Sequence, residues 1–598
     1  MYRIVLFLSL LSLKLCAQII PQNRMVDWRG AGNHFDFTSI TDSVNVTDFG
    51  AVGDGITDNY SAIDSAIYSL YEKPGIVYFP AGTYLINNTL NLPDSIILKG
   101  SGAESTILKF NSGENNNSIN ISGSASGIFK SIISGYQKNS TQLTLDDSLI
   151  FTKGDLAEII QDGTLQMTSS WAMECLGQII KIDSVSGYNI FLSSPLRMGY
   201  LDTLNPRIRK IIPKTAVSVQ CLKIERLDST SSQTSNIFFN YAYNCEVLGV
   251  EGYMCNFAQI EINKSSNISV RNSFIHHAFS YGDGGKGYGV CVHATSGECL
   301  TENNIFVHLR HSMLLQSGAN GNVFAYNYSK EPYWTDVSLP SNAAGDIVLH
   351  GNYPYANLFE GNICQHIVID DSHGKNGPFN TYLRNRSELY GIFMNNAPAT
   401  DSLNFVGNEV TNTGFLMGLY VLMGVGHFQY GNNIKGTITP SGTSSLNDTS
   451  YFYHGQPHFW NVYQNYPPIG TPNAFNTLIN PAKSRYLSGT ELATCTDTSF
   501  VTSVSPTLTE IKNSFEIISY SYSSTKNGFD VTINFPITDR ADIVIYNTLG
   551  VVIDRLEYNP NAGKNVLFIP LKNKISGSMV YVTFIQSNTS KTLKFINL

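Results

Sequence analysis

The sequence predicts an all-β chain: a solenoid of short, stacked, parallel strands closed at its N-terminal end by one helix. Three observations carry this expectation. Asn, Ser, Thr and Gly abound while charged residues make up only 14% of the chain, a composition suited to many strands and turns. The stretch DFGAVGDGITD, Asp48 to Asp58, holds three glycines and three aspartates in eleven residues, which forces a tight polar turn. From about residue 236 a short motif recurs: NISVRN (267–272), CLTENN (299–304), NVFAYN (322–327), NLFEGN (357–362) and LNFVGN (403–408). Each copy ends in Asn at a strand-to-turn junction, the signature of a repeating coil.

In chain order, residues 1–17 read as a secretory signal: Arg3, an apolar run from Ile4 to Leu13, and Ala17 before Gln18. Cleavage after Ala17 is preferred to lipidation at Cys16, because Leu15 is large for the position before a lipidated cysteine. The expected destination is therefore outside the cell or on its surface. Residues 18–43 form a strap beside the first coil, anchored by Trp28. Asp58 and Asn59 cap a helix whose Ala62, Ile63, Ala66, Ile67 and Leu70 share one face. Pro74-Gly75 ends it, and strands follow at Ile76–Phe79, Thr83–Ile86 and Ile96–Leu98. Such a helix covers the apolar surface and unpaired backbone that a terminal coil exposes.

This opening, roughly residues 44 to 110, resembles the N-terminal segment of the pectate-lyase superfamily, which includes polygalacturonase-like and rhamnogalacturonase-like enzymes. The resemblance implies a right-handed parallel β-helix over residues 18–488. It is weaker evidence for the reaction, since phage tailspikes and surface proteins carry similar openings.

Between Gly135 and Pro206 the strands alternate and GD, DG and SG turns separate them, so 135–206 reads as a small antiparallel β insertion. Arg207 to Leu227 returns the chain to the solenoid. The repeat asparagines are expected to stack from coil to coil and satisfy turn backbone. Residues 440–480, rich in aromatics, read as covering loops at the C-terminal side. A Ser/Thr-rich linker spans 489–512, and 513–598 forms a second all-β unit. Its YNTLGVVI stretch and the terminal strand with Lys591 and Lys594 resemble the C-terminal sorting domain of the type IX secretion system of Bacteroidetes. That implies an immunoglobulin-like β-sandwich and a partner in the secretion and sorting machinery.

Lys and Arg number 38 against 46 acidic residues, a net charge of −8, which argues against nucleic acid as the main partner. After the signal no stretch is long and apolar enough to span a membrane, and a monomer is expected. Eight cysteines follow Cys16, none in a Cys-x-x-Cys pair, which disfavours structural zinc. Cys245/Cys255 and Cys291/Cys299 are conceivable local disulfides, but small buried thiols inside the coils are the preferred reading.

The chemistry concentrates in one stretch. Eight of the twelve histidines lie between His276 and His373, in segments flanking the repeats, so stacked coils would bring them to one side. For any single histidine, a stacking or turn role is the plainer reading. Two reactions suit the set. A uronate lyase needs a base for the proton alpha to the carboxyl group and a cation to neutralise the carboxylate. His311, His350, His373, Lys286 and Arg384 are candidates for those roles, with Arg310 and Arg386 as substrate contacts. No cofactor is certain; calcium is the metal that Asp283 and Asp370 would suit. A hydrolase needs two carboxyl groups, and Asp370 and Asp371, adjacent on a strand, would point to opposite faces, leaving one for a groove. Asp371 is the one favoured for that place. Polygalacturonases pair aspartates and carry a His-Gly motif about a coil later. Here Asp370-Asp371 and His373-Gly374 are nearly contiguous and no Asn-Thr-Asp precedes them, so those roles are not carried over. Zinc finds no His-x-x-x-His pair on a helix. The expected function is cleavage of an acidic or complex polysaccharide, by a lyase in preference to a hydrolase. The rival is a non-catalytic glycan-binding or adhesion protein on the same scaffold.

Overall fold

The computed structural model describes residues 18–113, 115–282, 284–335, 345–395, 399–460 and 465–495, then seven strands and short joining segments between 516 and 596. The expected signal at 1–17, linker residues 496–512 and Asp283 lie outside the described residues. The chain divides at Phe500/Val501 into two units.

The first unit is a parallel β-helix. Its coils contribute to one sheet of 13 strands and a second of 21, almost all parallel. Registry is regular from coil to coil: Val323–Ala325 pairs Leu358–Glu360, which pairs Thr381–Leu383, then Asn404–Val406, then Phe428–Tyr430. Alternate residues point inward, and one inward position is aromatic in four successive coils. Phe324, Phe359, Tyr382 and Phe405 stack with ring centroids 5.5, 4.9 and 5.1 Å apart. Such pairs contribute about 0.5–1.5 kcal/mol each beyond area burial.

The asparagines form two ladders. In one, the backbone N–H groups of Asn304, Asn327, Asn362, Asn385 and Asn408 each donate to the side-chain oxygen of the next, ending on Asn432. In the other, five residues earlier in each repeat, Cys299, Asn322 and Asn357 donate likewise and the ladder ends on Asn380. Asn380 and Asn385 belong to a further copy of the motif, NTYLRN.

At the N-terminal end the helix Tyr60–Ser69 buries Ile63, Ala66 and Ile67 against the first coils. Asp58 accepts the Tyr60 N–H at 3.1 Å. The Asn59 side chain does not cap; it accepts from Val52 N–H (2.6 Å) and donates to the Thr57 carbonyl (2.7 Å), tying the polar turn to the helix start. The strap is not confined to the first coil. It runs along many coils, from Ile19 on Asp448 through Trp28, whose indole donates to Ala356 O (2.8 Å), to Asn33 on Ser269.

Six antiparallel strands, Ser124–Ser134, Gln142–Leu145, Leu156–Ile160, Gly177–Ser186, Asn189–Leu192 and Arg207–Ile212, close into a barrel with its own core. It is longer than the expected insertion at both ends, because its first and last strands pair with each other before the chain rejoins the solenoid. The coils close up beneath it: Ile96–Gly100 pairs directly with Ser218–Gln220. The barrel leans on the solenoid through Met167, Ala172, Cys175 and Leu176 packed on Ala294, Tyr355 and Ala356. Thr168 Oγ1 also donates to the His373 carbonyl (2.9 Å).

Residues between 440 and 460 cover one flank of the later coils. Leu446, Tyr451, Phe459 and Trp460 are buried with Trp28 on Tyr326, Leu358 and Leu383, so these aromatics pack a cover. The helix Pro481–Ser488 starts at Asn480, whose side chain accepts the Lys483 N–H (2.9 Å), and ends at Gly489 in the left-handed region. All eight described cysteines are free thiols, among them Cys245/Cys255 and Cys291/Cys299, most of them buried within the coils. The second unit has a three-stranded and a four-stranded antiparallel sheet, with a core of Phe529, Val531, Ile533, Ile543, Ile545 and Phe584. Among the described residues no helix is long and apolar enough to cross a membrane.

Candidate functional site

Parallel stacking turns a sequence position into a row. Tyr288–His293, His311–Leu315, Ile347–Leu349 and Ile363–Ile369 pair so that Val292, Leu315, Leu349 and Ile369 align. The residues just after them, His293, Gln316, His350 and Asp370, therefore fall in one row, continued by Asn395 after Met394. Beside the row runs a stack of rings. Tyr288 faces His311 at 5.2 Å, His311 meets His350 at 5.4 Å, and His350 stacks on His373 at 4.6 Å with 20° between planes. His311 and His350 are mostly buried, Asp370 is half-buried and His373 is exposed.

The loops hold these groups in place. His311 Nδ1 lies 3.2 Å from the Gly345 carbonyl. The carboxylate of Asp370 accepts at Oδ1 from Ser372 N–H (2.8 Å) and Asn395 Nδ2 (2.6 Å), and its Oδ2 lies 3.9 Å from His350 Nε2. The His373 carbonyl is clamped by Asn352 N–H (3.1 Å) and by Thr168 of the barrel. Arg310 spreads its guanidinium over Trp334 (4.6 Å) and Tyr288 (6.0 Å) and donates to the Gly282 carbonyl. One residue before Trp334, Tyr333 stacks on His308, which faces His277, extending the aromatic wall.

Burial holds the His311 imidazole well below its ordinary value, and the nearby His350 and Arg310 charges add to this. Burial likewise lowers His350, against the pull of Asp370. For Asp370, burial works upward, but His350 and the Ser372 and Asn395 hydrogen bonds outweigh it and leave the group below its ordinary value. Near neutral pH His311 and His350 are thus neutral imidazoles beside the Asp370 carboxylate.

Several expected site residues are elsewhere. Asp371 and Asp370 do point to opposite sides, but Asp370 faces the row and Asp371 is sealed inside. The Asp371 carboxylate accepts from Thr400 N–H (3.0 Å), the Thr400 hydroxyl, Asn376 N–H (3.2 Å) and Asn376 Nδ2 (2.8 Å). Arg384 is 1% exposed. It occupies the left-handed turn position of the NTYLRN repeat (φ 53°). Its guanidinium donates to the carbonyls of Asp448, Ile469, Thr471 and Leu446. It fastens the covering segment and cannot clamp a substrate carboxylate without dismantling it. Arg386, also buried, pairs with Glu409 (2.7 Å), its register partner on the next coil, and donates to the Leu478 carbonyl. Lys286 reaches the Thr230 carbonyl at 3.5 Å, and no contact among the described residues brings it into the imidazole row. Tyr288, Trp334 and Asn395 join the site without a local sequence motif to mark them. Tyr288 precedes His311 by one short coil, the spacing that would have revealed it.

A family model described as rhamnogalacturonase A/epimerase, pectate lyase-like, matches residues 43–169, the lid, first coils and part of the barrel. The preneck appendage protein of Bacillus phage PZA is 37% identical over 67 residues, 11% of this chain and 7% of that protein. Mannuronan C5-epimerase AlgE4 of Azotobacter vinelandii is 40% identical over 73 residues, 11% of this chain and 13% of that protein. The chain thus spans a small fraction of these relatives' length. Among solved structures, the tailspike protein gp49 from Pseudomonas phage LKA1 aligns with a TM-score of 0.47 and 18% identity, over 62% of this chain and 64% of that one. The family-model match ends before the histidine-bearing coils.

Proposed function

We propose that this chain is an exported, carbohydrate-active β-helix protein that cleaves a uronate-containing polysaccharide by β-elimination. The observation that carries the reading is the row itself: the imidazoles of His311, His350 and His373 stacked beside the Asp370 carboxylate, with Arg310 over Tyr288 next to them. Elimination asks for such a set. A neutral base takes the proton alpha to the carboxyl group, a cation steadies the enolate-like charge, and the glycosidic oxygen leaves as a double bond forms. Two-carboxyl hydrolysis asks for a second acid at the same groove, and Asp371 is enclosed by its own hydrogen bonds. The name of one relative, a mannuronan C5-epimerase, agrees with a polysaccharide partner. On this reading residues 1–17 direct export, and the C-terminal unit, of immunoglobulin-like and sorting type, delivers the protein to the surface.

The test is a panel of uronate polysaccharides followed in parallel by ultraviolet absorbance of unsaturated product and by reducing ends. The expected result is one new double bond for every new reducing end. Reducing ends without unsaturation would mean hydrolysis, and glycan binding without either signal would mean a binding protein.

A further inference from the structure

We infer that His350, Asp370 and His373 form a binding site for a zinc-type divalent transition metal, with the coordination position facing the groove left for water or substrate. The inference rests on the groove being the functional site and is independent of which bond is cleaved there. The ligand atoms of the three side chains all lie within 4.8 Å of one another. A tetrahedral ion with bonds of about 2.1 Å needs donors roughly 3.4 Å apart. His373 is exposed, and a turn of its ring away from the His350 stack, on a backbone that stays clamped, would supply that closure.

The surroundings prepare the ligands. Asn395 and Ser372 occupy Asp370 Oδ1 and leave Oδ2 toward His350, which is how outer hydrogen bonds commonly orient a ligating carboxylate. Asn352 and Thr168 fix the His373 backbone. Gly351 and Gly374, both with positive φ, admit the close approach of these loops: a Cβ at Gly351 would lie 2.7 Å from the His373 backbone.

Ligand chemistry selects the ion. Two imidazoles and one carboxylate with an open position match the three-ligand pattern of catalytic zinc. Calcium takes six to eight oxygens, and here Asp370 is the carboxylate that faces the groove, Asp371 being sealed. Such a site leaves no local sequence motif because its ligands come from successive coils. With the ion bound, it would meet the substrate carboxylate, and His311 would be the imidazole left for proton transfer.

The experiment uses the full chain, stripped with chelator and dialysed, then titrated with Zn(II), Co(II) and Ca(II) by calorimetry, with the visible bands of Co(II) as a second readout. One Zn(II) or Co(II) per chain is expected at this site. H373A and D370N should each weaken it by at least about 100-fold, and N395A, an outer partner, by about 10–100-fold. H308N, in the neighbouring histidine group, should leave it unchanged. His373 is exposed, so H373A separates ligand loss from misfolding. Absence of Zn(II) and Co(II) binding, binding indifferent to H373A and D370N, or preference for Ca(II) would overturn the inference. Metal bound without uronate cleavage would sink the lyase reading alone; cleavage by a chain that binds no metal would sink this one alone.

Discussion

Asp370 and Asp371 are neighbours in sequence with opposite fates, and their substitutions should separate site from scaffold. D370N keeps a side chain that Ser372 N–H can still reach and is expected to melt near the parent while losing the site. D371A strands the Thr400 and Asn376 donors that the carboxylate now accepts from. Each buried donor left unpaired costs about 1–3 kcal/mol, so its melting temperature should fall sharply. Arg384 belongs with Asp371. In R384A four backbone carbonyls lose their donor, and the expected outcome is faster proteolysis of residues 446–471 with little change in specific activity of the folded fraction. R310A should instead lower kcat/KM on a uronate substrate by about 10²–10³, the usual effect of removing one preorganised charge partner. Unchanged kinetics would remove Arg310 from the site.

At the scale of the coil, the asparagine ladder ties the turns. Asn362 shows why the amide is needed: its oxygen accepts from Asn327, while its Nδ2 donates to Phe324 O (2.8 Å) and Asn385 Oδ1 (2.9 Å). N362D keeps the shape but sets an ionised carboxylate against two buried acceptors, a loss of several kcal/mol. Protonation would restore a donor, so the deficit in melting temperature should shrink as pH falls. A deficit that does not change with pH would mean that the ladder acts through shape alone.

For the whole molecule, buried acids outside the site make a contribution to stability that depends on pH, and Asp346 and Glu360 are two of them. Burial pushes Asp346 up to about 6 and Glu360 up to about 7, from ordinary values of 3.8 and 4.5. At these two groups the folded chain therefore holds more protons than the unfolded chain between about pH 4 and 7. In that window stability contributed by these groups is present at the acid end and lost as pH rises through the folded values. At 1.36 kcal/mol per unit, each accounts for on the order of 3 kcal/mol. His311 and His350, held below their ordinary values, work the other way in the same window, so the check is the difference between chains: the melting temperatures of D346N and E360Q should each fall less, or rise more, with pH than the parent's. The two units, each with its own core, should also separate: a chain ending at Phe500 is expected to retain the solenoid's unfolding transition and its metal binding, and to lose surface delivery in the native host.

What the sequence determined by itself is what repeats or is local. The glycine- and aspartate-rich turn, the amphipathic lid helix, the strand alternation of the inserted module and the Asn-ending repeats each report a backbone state within a few residues, and the coil stack follows from them. Coil spacing also drew attention to His311, His350 and His373, with Asp371 as the expected groove carboxylate. Only the tertiary structure decided which side chains of a shared stretch face outward and what covers them. Arg384 looked like a clamp because its charge is visible in sequence, whereas the carbonyls of Leu446, Asp448, Ile469 and Thr471 that fold over it are not. Asp370 replaced Asp371 because the direction of the residues just past a strand depends on where the turn begins. A solenoid spells its rows in register, but loops and straps from distant positions determine which of those rows meet water.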